Sequence, residues 1–298
     1  MNTSKTHAGY VAILGRPNVG KSTLLNRILG RKISITSRKP QTTRHKILGI
    51  KTIGDFQTIY VDTPGLHNKN ERMLNRYMNK AALSMLSDVD VIIFMVAGTI
   101  WREEDEMVLQ ILQQANCPVI LAINKIDIVA QKDQLLECMK TIGQKREFNT
   151  IIPLSAQDGT NVLSLEEVIQ KLLPESPFYF PPEQLTDRDN KFLVAESIRE
   201  KLTRFLGQEL PYAISVVVDQ MAARQNIMHI AATIYVERDG QKAIIIGKDG
   251  AVLKKVGTLA RKDMEELFAQ KVFLKLWVKV KSGWTDDKAL LQQFGYES

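Results

Sequence analysis

The sequence predicts an α/β protein built on a doubly wound parallel sheet, followed by a smaller α+β unit. Three observations carry this prediction. Short apolar runs alternate with helix-like stretches as far as Leu173. The runs are apolar throughout, as strands buried on both faces of a parallel sheet must be. A proline-rich stretch then ends the pattern, and helix, strand, strand, helix and strand follow in a different order.

The elements read in order as follows. "YVAILG" leads into the helix-like "KSTLLNRILG", "FQTIYVDTPG" into "ERMLNRYMNKAALSML", and "VIIFMV" into "EEDEMVLQILQQA". "PVILAINK" leads into "QKDQLLECMKTIGQK", and "TIIPLSA" into "LSLEEVIQKLL". "PESPFYFPPEQLTDRD" holds four prolines, which disfavour both helix interior and central strand. The expected division is therefore a first domain over 7–174, a linker over 175–190 and a second domain over 191–298. In the second, "NKFLVAESIREKLTRFLG" reads as helix, and "YAISVVVDQ" and "IMHIAATIYVER" read as strands. "AVLKKVGTLARKDMEELFAQ" reads as helix and "VFLKLWVKVK" as the last strand; Trp277 and Trp284 are rings that could stack on bases, with Trp277 favoured for the core.

With 44% hydrophobic and 24% charged residues the composition is that of a globular chain. No apolar run approaches the roughly 20 residues that span a bilayer, and the first ten residues lack a secretory core, so a cytoplasmic protein is expected. Cys117 and Cys138 have neither metal-ligand nor redox spacing and are expected to be plain thiols. The net charge of +7 is unevenly spread. Residues 1–54 hold eleven Lys or Arg and no acid, and residues 242–281 hold ten against four. Each basic region contains a glycine loop, which points to two anion-binding sites.

"GRPNVGKS" satisfies the G-x-x-x-x-G-K-S/T pattern between a strand and a helix. Its backbone N–H groups and the positive helix end would surround phosphates, with Gly20 allowing close approach, Lys21 bridging terminal phosphates and Ser22 on magnesium. "YVDTPG" ends a strand with Asp62, placed for a metal-bound water, and brings the Gly65 N–H to the terminal phosphate. "AINKID" ends another strand with Asn124, Lys125 and Asp127. A carboxylate at Asp127 can accept from guanine N1–H and the 2-amino group, which adenine cannot offer, so the expected base is guanine.

Together "GRPNVGKS", "DTPG", "NKID" and "LSA" resemble the ordered motifs of translation-factor-type GTPases. The resemblance implies a P-loop GTPase domain that binds and slowly hydrolyses GTP with Mg2+. It implies nucleotide contacts from Gly15, Arg16, Pro17, Asn18, Val19, Gly20, Lys21, Ser22 and Thr23, from Asp62, Thr63, Pro64 and Gly65, and from Asn124, Lys125 and Asp127. Ser155 and Ala156 would place a backbone N–H on the guanine oxygen. A switch threonine within "SRKPQTTRHKILG" would join Ser22 and Asp62 on magnesium; Thr43 is favoured, with Thr42 the alternative. Lys21, Thr43 and Gly65 are the expected catalytic groups. Leu66 stands where many such proteins carry a water-orienting glutamine. His67 reads as an exposed loop residue, and His7, His45 and His229 show no clustering with acids or cysteines. Asn18 is implied to help hold K+, while Arg16 and Arg44 read as surface residues facing phosphate or RNA. Pro40 departs from the switch pattern without removing a ligand.

The second loop, "IGKDG", resembles the glycine loop of the type II KH domain, which clamps about four nucleotides of a single strand. The expected contacts are Ile246, Gly247, Lys248, Asp249 and Gly250, extended by Lys254 and Lys255. Asp249 also suits the first turn of a helix. A GTPase followed by this module resembles the bacterial ribosome-assembly GTPases over essentially the whole chain. That implies binding near the 3′ end of 16S ribosomal RNA, action on the small ribosomal subunit, a monomer, and GTP control of RNA affinity. It extends to peripheral association with the inner face of the cell membrane, although no segment here supplies an anchor.

Overall fold

The computed structural model describes residues 5–37, 43–63, 88–206 and 214–295. They form two compact units: the first carries residues up to Asp187 and the second begins at Arg188, the short stretch from Ile35 grouping with the second. The first is a six-stranded sheet in the order β2-β3-β1-β4-β5-β6. Its strands are β1 (His7–Leu14), β2 (Ile47–Ile53), β3 (Phe56–Asp62), β4 (Val91–Ala97), β5 (Val119–Asn124) and β6 (Thr150–Pro153). All neighbours pair parallel except β2, which runs antiparallel to β3. The order reverses outward from β1, and such a switch point opens a crevice at the strands' carboxyl ends.

Helices α1 (Lys21–Leu29), α2 (Glu103–Leu112), α3 (Lys132–Gly143) and α4 (Val162–Leu172) follow strands, as a doubly wound layer requires. Four acids fill the first turn of α2, where the helix dipole favours negative charge. On one face of the sheet Ala12, Leu14, Ile92, Phe94 and Leu121 pack with Val108, Leu109 and Leu112 of α2, all of them buried. The strand β2 was not anticipated. Its first residues fall in the stretch read as a switch loop, and as an antiparallel edge strand it lacks the continuous apolar signal of the parallel ones. The expected helix over "ERMLNRYMNKAALSML" lies outside the described residues.

The proline-rich stretch is bound to the first unit over much of its length. Ser176 N–H donates to the Thr6 carbonyl, Ile50 N–H to the Leu185 carbonyl, and Leu48 N–H to Asp187 Oδ1. Gln57, fully buried, makes the tightest fastening: its Oε1 accepts from Tyr179 N–H at 2.8 Å and Phe180 N–H at 3.0 Å, and its Nε2 donates to the Phe180 carbonyl at 2.7 Å.

The second unit has a three-stranded sheet in the order β7 (Ser215–Arg224), β8 (Ile227–Val236), β9 (Lys271–Val280). β7 is antiparallel to β8, and β8 parallel to β9. Its helices are α5 (Asn190–Phe205), α6 (Asp239–Ile246), α7 (Ala251–Phe268) and the short α8 (Lys288–Gln293). Asp189 caps α5 by accepting from Phe192 N–H at 2.8 Å. Val194, Ile198 and Leu202 of α5 and Val256, Ala260 and Met264 of α7 share one buried core with Ile230, Ala232 and Ile234 of β8. The isoleucine run before Gly247 is the end of α6. Trp277, expected in the core, points outward with 45% of its surface exposed, because β9 turns its even-numbered positions toward the core; Trp284 is fully buried instead. Among the described residues no helix is long and apolar enough to cross a membrane.

Gln57→Leu would strip two part-buried N–H groups and a carbonyl of their partner, costing about 1–3 kcal/mol in all. Urea unfolding should show a loss on that scale, with faster proteolysis between residues 176 and 187, and an unchanged midpoint would refute the fastening role.

Candidate nucleotide site and nucleic-acid interface

The phosphate loop fills the six positions between the end of β1 and the start of α1. Gly20 enters α1 with φ 109°, and a Cβ there would sit 2.2 Å from Asn124 Nδ2, so no other residue fits. Lys21 lies along the loop, its Nζ donating to the Gly15 carbonyl at 2.9 Å and the Arg16 carbonyl at 3.0 Å. Burial lowers the Lys21 pKa to about 8, against the opposing pull of Asp62. Val19 is fully buried and contributes its carbonyl, which accepts from Asn124 Nδ2 at 2.7 Å. Asn18 is exposed with φ 64°, and its carbonyl accepts from Lys125 Nζ at 2.8 Å. Pro17 in the loop and Thr23 in the first turn of α1 are partly buried.

Register carries the second motif to this loop. Asp62 pairs with Ile13 in the β1–β3 ladder, so its carboxylate emerges beside the phosphate loop. It is fully buried, and Oδ2 accepts from Ser22 Oγ and Ser34 Oγ, each at 2.7 Å. Ser22 Oγ also lies 2.8 Å from Thr43 Oγ1. Burial raises the Asp62 pKa, while the two serine hydroxyls and Lys21 hold it down. Asp62 Oδ1 has no hydrogen-bond partner among the described residues. Two hydroxyls and a buried carboxylate with an unused oxygen are a hard, oxygen-only set that suits Mg2+, so the residues fit the ion the sequence implied. Thr42, the alternative to Thr43, lies outside the described residues, as do Pro40, Pro64, Gly65, Leu66 and His67. Ser34 was missed, since a lone serine in "ISITS" carries no pattern.

The base-side motif separates into braces and one open group. Asn124, almost fully buried, spans the phosphate loop and the last motif by accepting from Ala156 N–H at 2.9 Å while donating to Val19. Asp127 is exposed on a single 3-10 turn, Ile126–Ile128, where its carboxylate can meet a base edge. Ser155 N–H donates to the Thr160 carbonyl at 3.1 Å, and its Oγ accepts from Asp158 N–H at 3.3 Å. Both N–H groups expected at the guanine oxygen thus have protein acceptors here, and a base would have to share the one on Ala156.

Two sequence expectations need correction, and the Thr63 hydroxyl has a partner of its own. Thr63 is buried with its hydroxyl donating to the Ile13 carbonyl at 3.0 Å, so that hydroxyl serves the sheet edge. Arg16 is held from its Nε by Asp105 Oδ2 at 3.0 Å, with Asp105 fully buried. Arg44 is 1% exposed. Neither arginine is the surface residue its charge suggested. Asp105 was legible only as one acid among four at a helix start; tertiary contact gives it its role.

In the second unit the glycine loop bridges α6 and α7. Gly247 has φ 72°, and a Cβ there would press to 2.5 Å from Val252 Cγ2. Lys248 and Asp249 are exposed, and Asp249 occupies the left-handed region at φ 52°. Gly250, with φ 75°, leads directly into α7, so the loop presents a helix N-terminus to solvent. Lys254 and Lys255 are exposed on the first turns of that helix, Lys255 lying 4.8 Å over the Phe205 ring. Ile246 is partly buried beside them.

Known proteins resemble the chain throughout. Residues 10–125 match the family described as "50S ribosome-binding GTPase", and residues 209–285 match "KH domain". "GTPase Era" of Pseudomonas aeruginosa is 55% identical over 291 residues, covering 98% of this chain and 95% of the relative. "GTPase Era" of Coxiella burnetii is 54% identical over 292 residues, covering 98% and 99%. A variant of Aquifex aeolicus Era bound to GDP.AlF4- superposes with TM-score 0.94 at 39% identity, covering 98% of this chain and all of that one. A structure of Era in complex with MgGDPNP and nucleotides 1506–1542 of 16S ribosomal RNA does so with TM-score 0.94 at 40% identity and the same coverage.

The Lys21 geometry predicts a pH dependence. Phosphate oxygens favour the charged amine, so above about pH 8 a polyphosphate must bind with uptake of a proton, whereas below that the amine is already charged. Nucleotide affinity should therefore be flat from pH 6 to 7 and fall by up to about tenfold per unit above pH 8. Titration calorimetry across that range checks it, and a slope of zero up to pH 9 would contradict it.

Proposed function

This chain belongs to the Era family of GTPases, and from that premise we propose that it binds GTP with Mg2+, hydrolyses it, and holds single-stranded RNA near the 3′ end of 16S ribosomal RNA during assembly of the small subunit. The observation that carries the reading is the convergence of Ser22, Thr43 and Asp62, with Asp62 Oδ1 unused. Bound there, Mg2+ neutralises charge on the terminal phosphates. Lys21 exchanges its two carbonyl partners for phosphate oxygens, and the loop amides and the α1 N-terminus complete the cradle. Asp127 selects guanine by accepting two hydrogen bonds that adenine cannot supply.

The remaining assignments rest on family resemblance and on the chemistry of the groups. Asn18 helps hold K+ beside the phosphates, and the Gly65 N–H meets the terminal phosphate. Slow intrinsic turnover follows from Leu66, which cannot orient water. The functional division proposed is a GTPase domain over 7–174, a linker over 175–190 that is fastened to the first unit as far as Asp187, and an RNA-binding domain over 191–298. Gly247 and Gly250 admit the sugar-phosphate chain, with Lys248, Lys254 and Lys255 neutralising it. The protein works as a cytoplasmic monomer, with peripheral association at the inner membrane face.

Separate-function variants test the reading. Lys21→Ala should abolish GTP retention while RNA affinity in nucleotide-free buffer stays unchanged. Gly247→Val with Gly250→Val should abolish binding of a short RNA while leaving the GTP Kd unchanged. Lys248→Ala, a gentler change, should lower the slope of log affinity against log salt by about one. Single-turnover GTP hydrolysis, measured with and without the RNA, supplies the activity. Loss of both binding functions from either glycine or lysine change would refute the division of labour.

A further inference from the structure

Helices α5 and α7 cover one face of the β7–β8–β9 sheet, and the opposite face carries a chemistry that the glycine loop does not use. Every outward position of β9 is exposed, and in order they read Lys271, Phe273, Lys275, Trp277, Lys279, a strict alternation of cation and ring. Phe273 is 49% and Trp277 45% exposed. On β8, His229 lies opposite Phe273 with ring centroids 5.3 Å apart, and Thr233 lies opposite Trp277. The register shift between Val218 and Gln220 leaves both Asp219 and Gln220 exposed. Between these groups is a pocket of about 280 Å³ lined by Asp219, Gln220, Ala231, Thr233, Trp277 and Lys279. The C-terminal residues cover the other end of this face, where Phe294 packs on Tyr235 at 4.8 Å.

We propose that this outer face is a second RNA site, in which one unpaired base of the strand stacks on Trp277 and fills the pocket. The proposal rests on the reading of the second unit as RNA-binding, and adds a site on the sheet face away from its helices. An exposed ring flanked by cations suits a single strand, since every base offers a face to stack and every nucleotide a charge to neutralise. Lys275 and Lys279 flank Trp277 at two residues' distance, about 6.6 Å along a strand, so each can meet the phosphate beside a stacked base. The pocket also offers polar groups for a base edge: the Gln220 amide, and Asp219, whose Oδ2 already accepts from Thr233 Oγ1 at 2.8 Å. That carboxylate favours a base carrying amino groups, which the alternative occupant, a membrane surface of the anionic lipid phosphatidylglycerol, lacks.

The test uses the full-length protein with single-stranded RNA of two lengths, about four nucleotides, matched to the glycine loop, and about twelve, long enough to reach a further site. Trp277→Ala should weaken the longer RNA by roughly 5- to 100-fold and leave the shorter unchanged, with Trp277→Phe retaining most of the affinity. Lys275→Glu, a change at an exposed position, should weaken the longer RNA in the same way. A 4-thiouridine RNA should crosslink to Trp277 or its neighbours on β9. If Trp277→Ala and Lys275→Glu leave the longer RNA unaffected while the paired glycine changes abolish both, this proposal fails and the glycine-loop reading stands. If the glycine changes have no effect but Trp277→Ala does, the glycine-loop reading fails and this one stands. Weakened binding to phosphatidylglycerol vesicles with RNA affinity intact would assign the face to a membrane and overturn the proposal.

Discussion

A fully buried carboxylate at the end of β3 sets the terms for the first unit. Asp62 cannot be left in an apolar sheet without partners, because an isolated buried charge is costly. It is kept there by two serine hydroxyls and the nearby charge of Lys21, which oppose the effect of burial on its pKa. Each partner comes from a different part of the chain: Ser22 from the start of α1, Ser34 from beyond that helix, and Thr43 through its contact with Ser22. The parallel register of β1 and β3 makes the meeting geometrically necessary, since Ile13 and Asp62 are level and the phosphate loop starts two residues later. One oxygen of the carboxylate remains unspent, and the nucleotide reading depends on it.

The same constraint explains why the neighbouring motif residues act mainly as braces. Asn124 ties the phosphate loop to the loop after β6, and Lys125 reaches the Asn18 carbonyl. Arg16 is anchored to α2 by Asp105. A rigid cradle of amides costs little to reorganise when a polyphosphate arrives, which is how such loops gain affinity from the backbone. In the second unit an exposed loop with two glycines stands at one helix N-terminus, and cations alternate with rings along one strand.

Much of this was legible in the chain. The strand-end positions of "GRPNVGKS", "DTPG" and "NKID" were readable because apolar runs announce buried parallel strands, and the loops after them must lie at one edge of the sheet. What sequence could not supply was contact between distant residues. Ser34 and Asp105 have no spacing signature, and the burial of Arg44 runs against its charge. The antiparallel edge strand β2 was hidden inside a stretch read as loop. Trp277 is a different kind of miss, because the information was present. Lys271, Lys275 and Lys279 share its parity in "KVFLKLWVKV", and a period of two alone would have turned it outward.

The most direct measurement of the central claim is the Mg2+ dependence of guanine-nucleotide affinity in the native protein and in Asp62→Asn, an isosteric change that keeps a hydrogen-bonding group at the end of β3. Added Mg2+ should tighten nucleotide binding in the native protein and do so far less in the variant, with the metal-free affinities remaining similar. An undiminished Mg2+ effect in Asp62→Asn would show that the buried carboxylate is merely part of the sheet.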